Sequence, residues 1–236
     1  MGLTNLILKI LEKERSKYAL PFENNVEGFR KVIKTGDVVL VSGQSYISGI
    51  IKIVTKSNWS HCFLYMGDGK IIEADSIIYE SAEPRKVKNP RVMENPVEKY
   101  FPYNIRIKRP EQITEEHLKQ VLAEARNYVG KDYDKKNIAN FIWKGLGIKK
   151  FEFKKSMGSE DKYICSALIA KLFQNVGYPI LPDVAIVEDG KRSIKKINYT
   201  HIAPGDFDLA SSQYWRTIPF QGIGRTKHYT ELIWDE

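Results

Sequence analysis

Cys165, His61 and Glu73 are the residue types that a thiol hydrolase needs. The cysteine is a nucleophile, the histidine a base that takes or holds its proton, and the carboxylate a third group that fixes the base's tautomer and orientation. Cys165 opens an apolar run in which Ala167, Leu168, Leu172, Phe173 and Val176 share one helical face, and Gly177-Tyr178-Pro179 supplies a stop. The spacing therefore predicts a buried helix that begins near Cys165. At a helix N-terminus, unpaired backbone N–H groups and the positive end of the helix dipole favour a thiolate over a thiol. Placement alone fits a small core cysteine equally well, because free cysteine is among the most buried residue types. The partners decide between the two.

Those partners belong to a predicted β-hairpin. Two strand-like runs, 58–66 and 71–75, flank Gly67-Asp68-Gly69. Alternation puts His61 and Phe63 on one face and Cys62 and Leu64 on the other, so His61 and Cys62 are not expected to share a site. Ile72 and Asp75 are expected to point away from the side that carries Glu73. Pairing about the turn brings Glu73 within a residue or two of Phe63 and Leu64, within reach of the His61 face. The less specific alternatives are a satisfied strand histidine and a solvent-facing glutamate. His117, His201 and His228 have no comparable context.

Around the hairpin, Gly36-Asp37 precedes Val38-Val39-Leu40-Val41, a buried strand by its continuous β-branched content. Ile47, Ile50, Ile51 and Val54 give residues 45–56 a helical period. A short strand is expected at 77–83, then a loop whose Pro84, Pro90 and Pro96 break any longer element. Residues 103–108 alternate as a half-exposed strand. Thr114-Glu115-Glu116 starts a helix that Leu118, Val121, Leu122, Ala125 and Val129 carry to Gly130. A further helix is predicted near 137–144, a basic loop at 149–162, and an irregular segment after Pro179. The chain from Tyr214 onward is expected to add strands or a lid. Residues 3–17 read as an amphipathic helix and 21–28 as a connector. The organisation is then an N-terminal helix and connector over 1–30, and one domain over 31–236 with an extension from about 185.

Composition narrows the partners. The 236 residues carry a formal charge of +8 with 42% hydrophobic content, and the basic residues are interleaved with acidic ones rather than massed. No nucleic-acid partner is expected. The amphipathic helix and basic loops are compatible with peripheral contact with an anionic surface. Two cysteines make no disulfide framework, and no CxxC pair or Cys/His cluster has metal-ligand spacing, so neither a metal nor a cofactor is expected. Gly145-Leu146-Gly147 and Gly222-Ile223-Gly224 lack the remainder of a nucleotide-binding motif, and Gly43-Gln44-Ser45-Tyr46-Ile47 lacks the second glycine of a serine elbow. No signal peptide or membrane-length apolar run is read, which points to the cytoplasm.

Taken together, Gly36-Asp37 before a strand, Trp59-Ser60-His61-Cys62, Glu73-Ala74 on the next strand, Gly130-x-x-Tyr133-Asp134, and Tyr163-x-Cys165-Ser166 before a helix resemble the circularly permuted papain-like NlpC-type hydrolases, and among them the YiiX-like amidases. The resemblance covers about residues 34–180, and Pro204-Gly205-Asp206-Phe207-Asp208-Leu209 is similar to a late segment of some relatives. It implies an α+β fold in which an antiparallel sheet packs against the helix carrying the nucleophile. Cys165 is then the nucleophile, His61 the base and later acid, and Glu73 the orienting group. Tyr133 and Asp134 would line the substrate pocket, and Gln44 and Tyr163 are candidates for the second oxyanion donor beside the Cys165 N–H. The implied activity is that of a cysteine peptidase or amidase acting on a peptide, peptidoglycan-like or lipid-amide substrate through a thioester. Two alternatives stay open: a lipid-directed acyltransferase or thioesterase on the same scaffold, and a catalytically silent wall- or lipid-binding module.

Overall fold

A computed structural model describes residues 24–80, 83–132, 165–181, 183–186, 192–195 and 198–220. These build an α+β fold around a six-stranded antiparallel sheet of order β4-β3-β2-β1-β5-β8. The strands are β1 (Val38–Ser42), β2 (His61–Gly67), β3 (Lys70–Glu80), β4 (Glu83–Pro96), β5 (Asn104–Pro110) and β8 (Trp215–Ile218). A separate ribbon pairs β6 (Asp183–Ile186) with β7 (Arg192–Lys195). The helices are α1 (Val26–Val32), α2 (Tyr46–Val54), α3 (Glu115–Asn127), α4 (Cys165–Asn175) and α5 (Pro204–Leu209), with 3-10 turns at Val97–Tyr100 and Tyr199–His201. Among the described residues no helix is long and apolar enough to cross a membrane.

The central strand β1 is apolar on both faces because both faces are covered. Val38 and Leu40 join Cys62, Leu64, Ile72 and Ala74 in a core closed by α3, α4 and α5. Val39 and Val41 join Phe63, Ile71 and Ile107 in a second core closed by Phe29 of α1 and by Val97 and Tyr100 of the first 3-10 turn. Burial on both sides is what a continuous hydrophobic strand requires. The reversal between β2 and β3 has three consecutive positive φ values, at Gly67, Asp68 and Gly69, which two glycines make affordable. It sets the pairs Gly67↔Lys70 and Leu64↔Ile72, while Val41↔His61 places His61 at the end of the sheet.

Gly36-Asp37 serves the scaffold. The Asp37 carboxylate accepts two hydrogen bonds from Arg109 of β5, at 2.8 and 2.7 Å, and one from the Lys34 N–H at 2.8 Å. Arg109 also donates to the Val32 carbonyl at 2.6 Å, so this bidentate pair ties the end of α1 to β1 and β5.

Several expectations are corrected. Residues 83–96 are a strand, although the three prolines predicted a loop, because β4 lies at the sheet edge, paired along its length with β3 and, among the described residues, met on its other side by a short bridge at Arg91↔Asp132. An edge strand tolerates residues without an N–H, and Pro90 falls where the register slips between Asp75↔Arg91 and Ile77↔Lys86. Of the strand expected at 77–83, residues 77–80 are the far end of an eleven-residue β3 and Glu83 opens β4. The connector ends in a helix, α1, capped by the Asn25 side chain accepting from the Gly28 N–H at 2.8 Å. The segment after Pro179 contains α5, whose first turn is closed by Asp206 accepting from the Ala203 N–H at 2.8 Å. The predicted elements at 3–17, 137–144 and 149–162 lie outside the described residues.

Candidate active site

Helix α4 packs across β2 and β3 and buries Ala167, Leu168, Ile169, Ala170, Leu172 and Phe173. Its first residue is Cys165, 7% exposed. The apolar face seen in the sequence therefore fixes how the helix lies on the sheet, and its N-terminus brings the thiol to the sheet end where His61 opens β2. Ser166 adds a tether, donating from Oγ to the Ile202 carbonyl at 2.6 Å.

His61 Nε2 lies 2.7 Å from Glu73 Oε2. That contact leaves Nδ1 for the thiol, and Cys165 and the imidazole each shift the other toward its charged form. The structure thus brings together the three residues singled out as nucleophile, base and orienting group. Phe63 and Tyr100 stack with ring centroids 4.9 Å apart, and Tyr100 also stacks against His61 at 5.6 Å, so the imidazole plane is held by aromatic packing as well as by the carboxylate.

Glu73 is fully buried and satisfied on both oxygens. Oε1 accepts from Asn95 Nδ2 at 2.7 Å and from Lys99 Nζ at 2.6 Å, while Oε2 faces His61 and accepts from the Tyr100 hydroxyl. Lys99 also reaches Asp75 Oδ2 at 2.5 Å. Burial alone would raise the Glu73 pKa, but the Lys99 charge and the His61 contact outweigh it and hold the carboxyl below its ordinary range. Burial likewise opposes charge on His61, yet the neighbouring Cys165 thiolate and Glu73 carry its pKa up to about 10. The Cys165 thiol is driven well below its usual range, foremost by a hydrogen bond from Cys62; burial opposes this, and the charge of His61 adds to it. The site therefore favours a thiolate–imidazolium pair.

Two sequence expectations fail here. Cys62, assigned to the face opposite His61, nevertheless donates to Cys165. The alternation itself holds, with Cys62 in the core under α4 and Phe63 in the other core. His61 is the first residue of the strand, however, and the thiol sits at the sheet end where both faces are reachable. Asp75 was expected to point away from Glu73, but one ammonium bridges both, as the period of two requires for residues two apart. Sequence reasoning also passed over Asn95, Lys99 and Tyr100. Residues 95–100 follow a proline-rich stretch with no periodic signal, and only the β3–β4 pairing, Glu73↔Met93 and Ile71↔Asn95, folds them over Glu73.

Gln44 lies half-buried in the turn between β1 and α2, beside the end of β1 that pairs with His61. Tyr133, Asp134 and Tyr163 lie outside the described residues. Among the described residues no three His, Cys, Asp or Glu side chains converge in a way that could hold a metal ion.

The C-terminal segment meets the same end of the sheet. Trp59 Nε1 donates to Asp208 Oδ2 at 2.8 Å, and Arg106 of β5 donates to both Asp208 oxygens, at 2.8 and 2.7 Å, with its guanidinium over the Trp59 ring. Gly205 passes so close to Ser57 that a Cβ would lie 2.3 Å from its hydroxyl. The segment therefore buttresses the loop that delivers His61.

No family model and no curated protein matches this chain. One solved structure similar to it is the metalloprotein YiiX of Escherichia coli O157:H7, 16% identical, with a TM-score of 0.47 over 80% of this chain and 97% of that one.

Proposed function

We propose that this chain is a cysteine hydrolase with a permuted papain-like, NlpC-type domain that cleaves an amide bond through a thioester, in the manner of the YiiX-like amidases. The observation that carries the reading is the Cys165–His61–Glu73 relay, with the carboxylate buried and 2.7 Å from the imidazole. The order of its parts, with the histidine-bearing sheet before the cysteine-bearing helix, supports the permuted form.

In this mechanism the Cys165 thiolate attacks the scissile carbonyl, forming a C–S bond and a tetrahedral oxyanion. The Cys165 backbone N–H, at the start of α4, faces the developing charge, with Gln44 or Tyr163 as the second donor. His61 gives its proton to the leaving nitrogen, the C–N bond breaks, and a thioester remains. Neutral His61 then takes a proton from water, the hydroxide attacks the thioester, and the acid leaves as Cys165 returns to the thiolate. Glu73 holds the imidazole in the tautomer that each step needs. Tyr133 and Asp134 line the pocket in this reading, and the substrate is a peptide or peptidoglycan-like amide.

The test is intact-mass spectrometry of wild type and Cys165→Ala after incubation with peptidoglycan fragments and, separately, with phospholipids and acyl-amides. A peptidyl adduct on Cys165, absent from Cys165→Ala, is expected. A fatty-acyl adduct would redirect the reading to a lipid acyltransferase or thioesterase, and binding without adduct or turnover would make the chain a silent module.

A further inference from the structure

We propose that Lys99 is a positioning residue of the thiol centre, which keeps Glu73 an anion by holding one of its oxygens and so reserves the other for His61. This rests on the hydrolase reading, because the relay it serves is the one proposed there. The geometry is specific. Lys99 and Tyr100 are consecutive residues of one 3-10 turn, and each takes a different oxygen of the same buried carboxylate. The turn is fixed at its start by the Val97 N–H donating to the Gly69 carbonyl at 2.8 Å, and at its end by the Tyr100 ring on Phe63. A lysine side chain 6% exposed beside a carboxylate with no exposure is far from the solvated pairs that contribute little to a surface.

Charge balance gives this lysine its task. Among the described residues, the titratable groups around Glu73 are His61 and Cys62 from β2, Asp75 from β3, Lys99 and Tyr100 from the turn, and Cys165 from α4, with Asn95 of β4 as a neutral donor. In the thiolate form the cluster holds three anions, Cys165, Glu73 and Asp75, against His61 and Lys99. Without Lys99 the Glu73 carboxylate keeps the imidazolium as its cation among the described residues, and Glu73, the most buried of the anions, is the one that takes up a proton. A protonated Glu73 no longer balances the charge on His61, so the imidazolium loses its support and the thiolate loses its counter-ion. Lys99 acts on the nucleophile through two intermediaries and touches no reacting atom.

The experiment follows the carboxamidomethylation rate of Cys165 by iodoacetamide between pH 4 and 10, read by peptide mass spectrometry on the full chain as wild type, Lys99→Met and Lys99→Arg. An opposite charge within a few ångströms shifts a carboxyl by roughly 1–3 pH units. The acid limb of Lys99→Met is therefore expected about one unit or more above wild type, with rates on the limb about tenfold lower, and Lys99→Arg is expected to restore most of the loss. A purely structural lysine would lower the melting temperature and leave the limb in place. Should Lys99→Met not fold by circular dichroism, Lys99→Gln carries the same test, since it keeps an N–H for Glu73 and removes only the charge. A folded, uncharged variant with an unmoved limb overturns the role of Lys99 and spares the hydrolase reading. A wild-type Cys165 that titrates as an ordinary thiol, near about 8.5, overturns both.

Discussion

Replacing Glu73 by Gln removes one charge and almost no volume, so its effect isolates what the buried anion does. Four donors converge on the two carboxylate oxygens: Asn95 and Lys99 on Oε1, and His61 and Tyr100 on Oε2. A glutamine offers one oxygen and one NH2 group, so turned one way its N–H meets the Asn95 and Lys99 donors, and turned the other it meets a protonated His61 and makes the Tyr100 hydroxyl reverse its role. His61 loses its carboxylate partner and is left with the Cys165 thiolate as counter-charge, and Lys99 keeps Asp75. Breaking a buried charged network by removing one member costs roughly 3–5 kcal/mol. For a chain of this size each kcal/mol lowers the melting temperature by about 2–4 °C, so a fall of roughly 6–20 °C is expected in calorimetry at pH 7. The same variant should slow Cys165 alkylation at pH 6, where the thiolate depends most on the imidazolium. A melting temperature within 2 °C of wild type, the smallest shift about 1 kcal/mol would give, together with unchanged alkylation, would refute the view that Glu73 is a buried anion supporting the pair.

His61 is held protonated up to about pH 10, so hydrolysis, which needs its proton for the leaving group, should fall as pH rises through about 10. Alkylation, which needs only the thiolate, should not fall there; a common alkaline limb in the two profiles would remove His61 as the acid. The raised pKa also has a stability consequence: the contribution of the imidazolium is complete below about 6.5, its value in an unfolded chain, and is lost as pH rises through about 10. Chemical denaturation across that window, compared with His61→Ala, measures it. Asp208→Ala should leave the buried indole N–H of Trp59 without its carboxylate acceptor and free Arg106, at a cost of about 1–3 kcal/mol, and should reduce hydrolysis more than substrate binding because Trp59 lies two residues before His61. Equal turnover with a lowered melting temperature would confine that segment to stability.

The sequence by itself determined the elements with strong periodicity and the chemistry they carry. The apolar face of α4 placed a cysteine at a helix start, the Gly-Asp-Gly reversal placed His61 and Glu73 on neighbouring strands, and Thr114 and the valines of β1 marked their own elements, because each depends on residues close together in the chain. Tertiary structure alone decided which side chains complete the site. The prolines of 84–96 read as a break until the edge position of β4 made them harmless, and that strand's pairing is what carries Asn95, Lys99 and Tyr100 onto Glu73. Alternation puts Cys62 on the face opposite His61, yet it acts on Cys165 because a helix N-terminus at the end of a sheet is reachable from both faces. Ser166 to Ile202 and Trp59 to Asp208 span 36 and 149 residues. Contacts of that span have no local pattern to announce them, since they depend on how elements pack after each has formed.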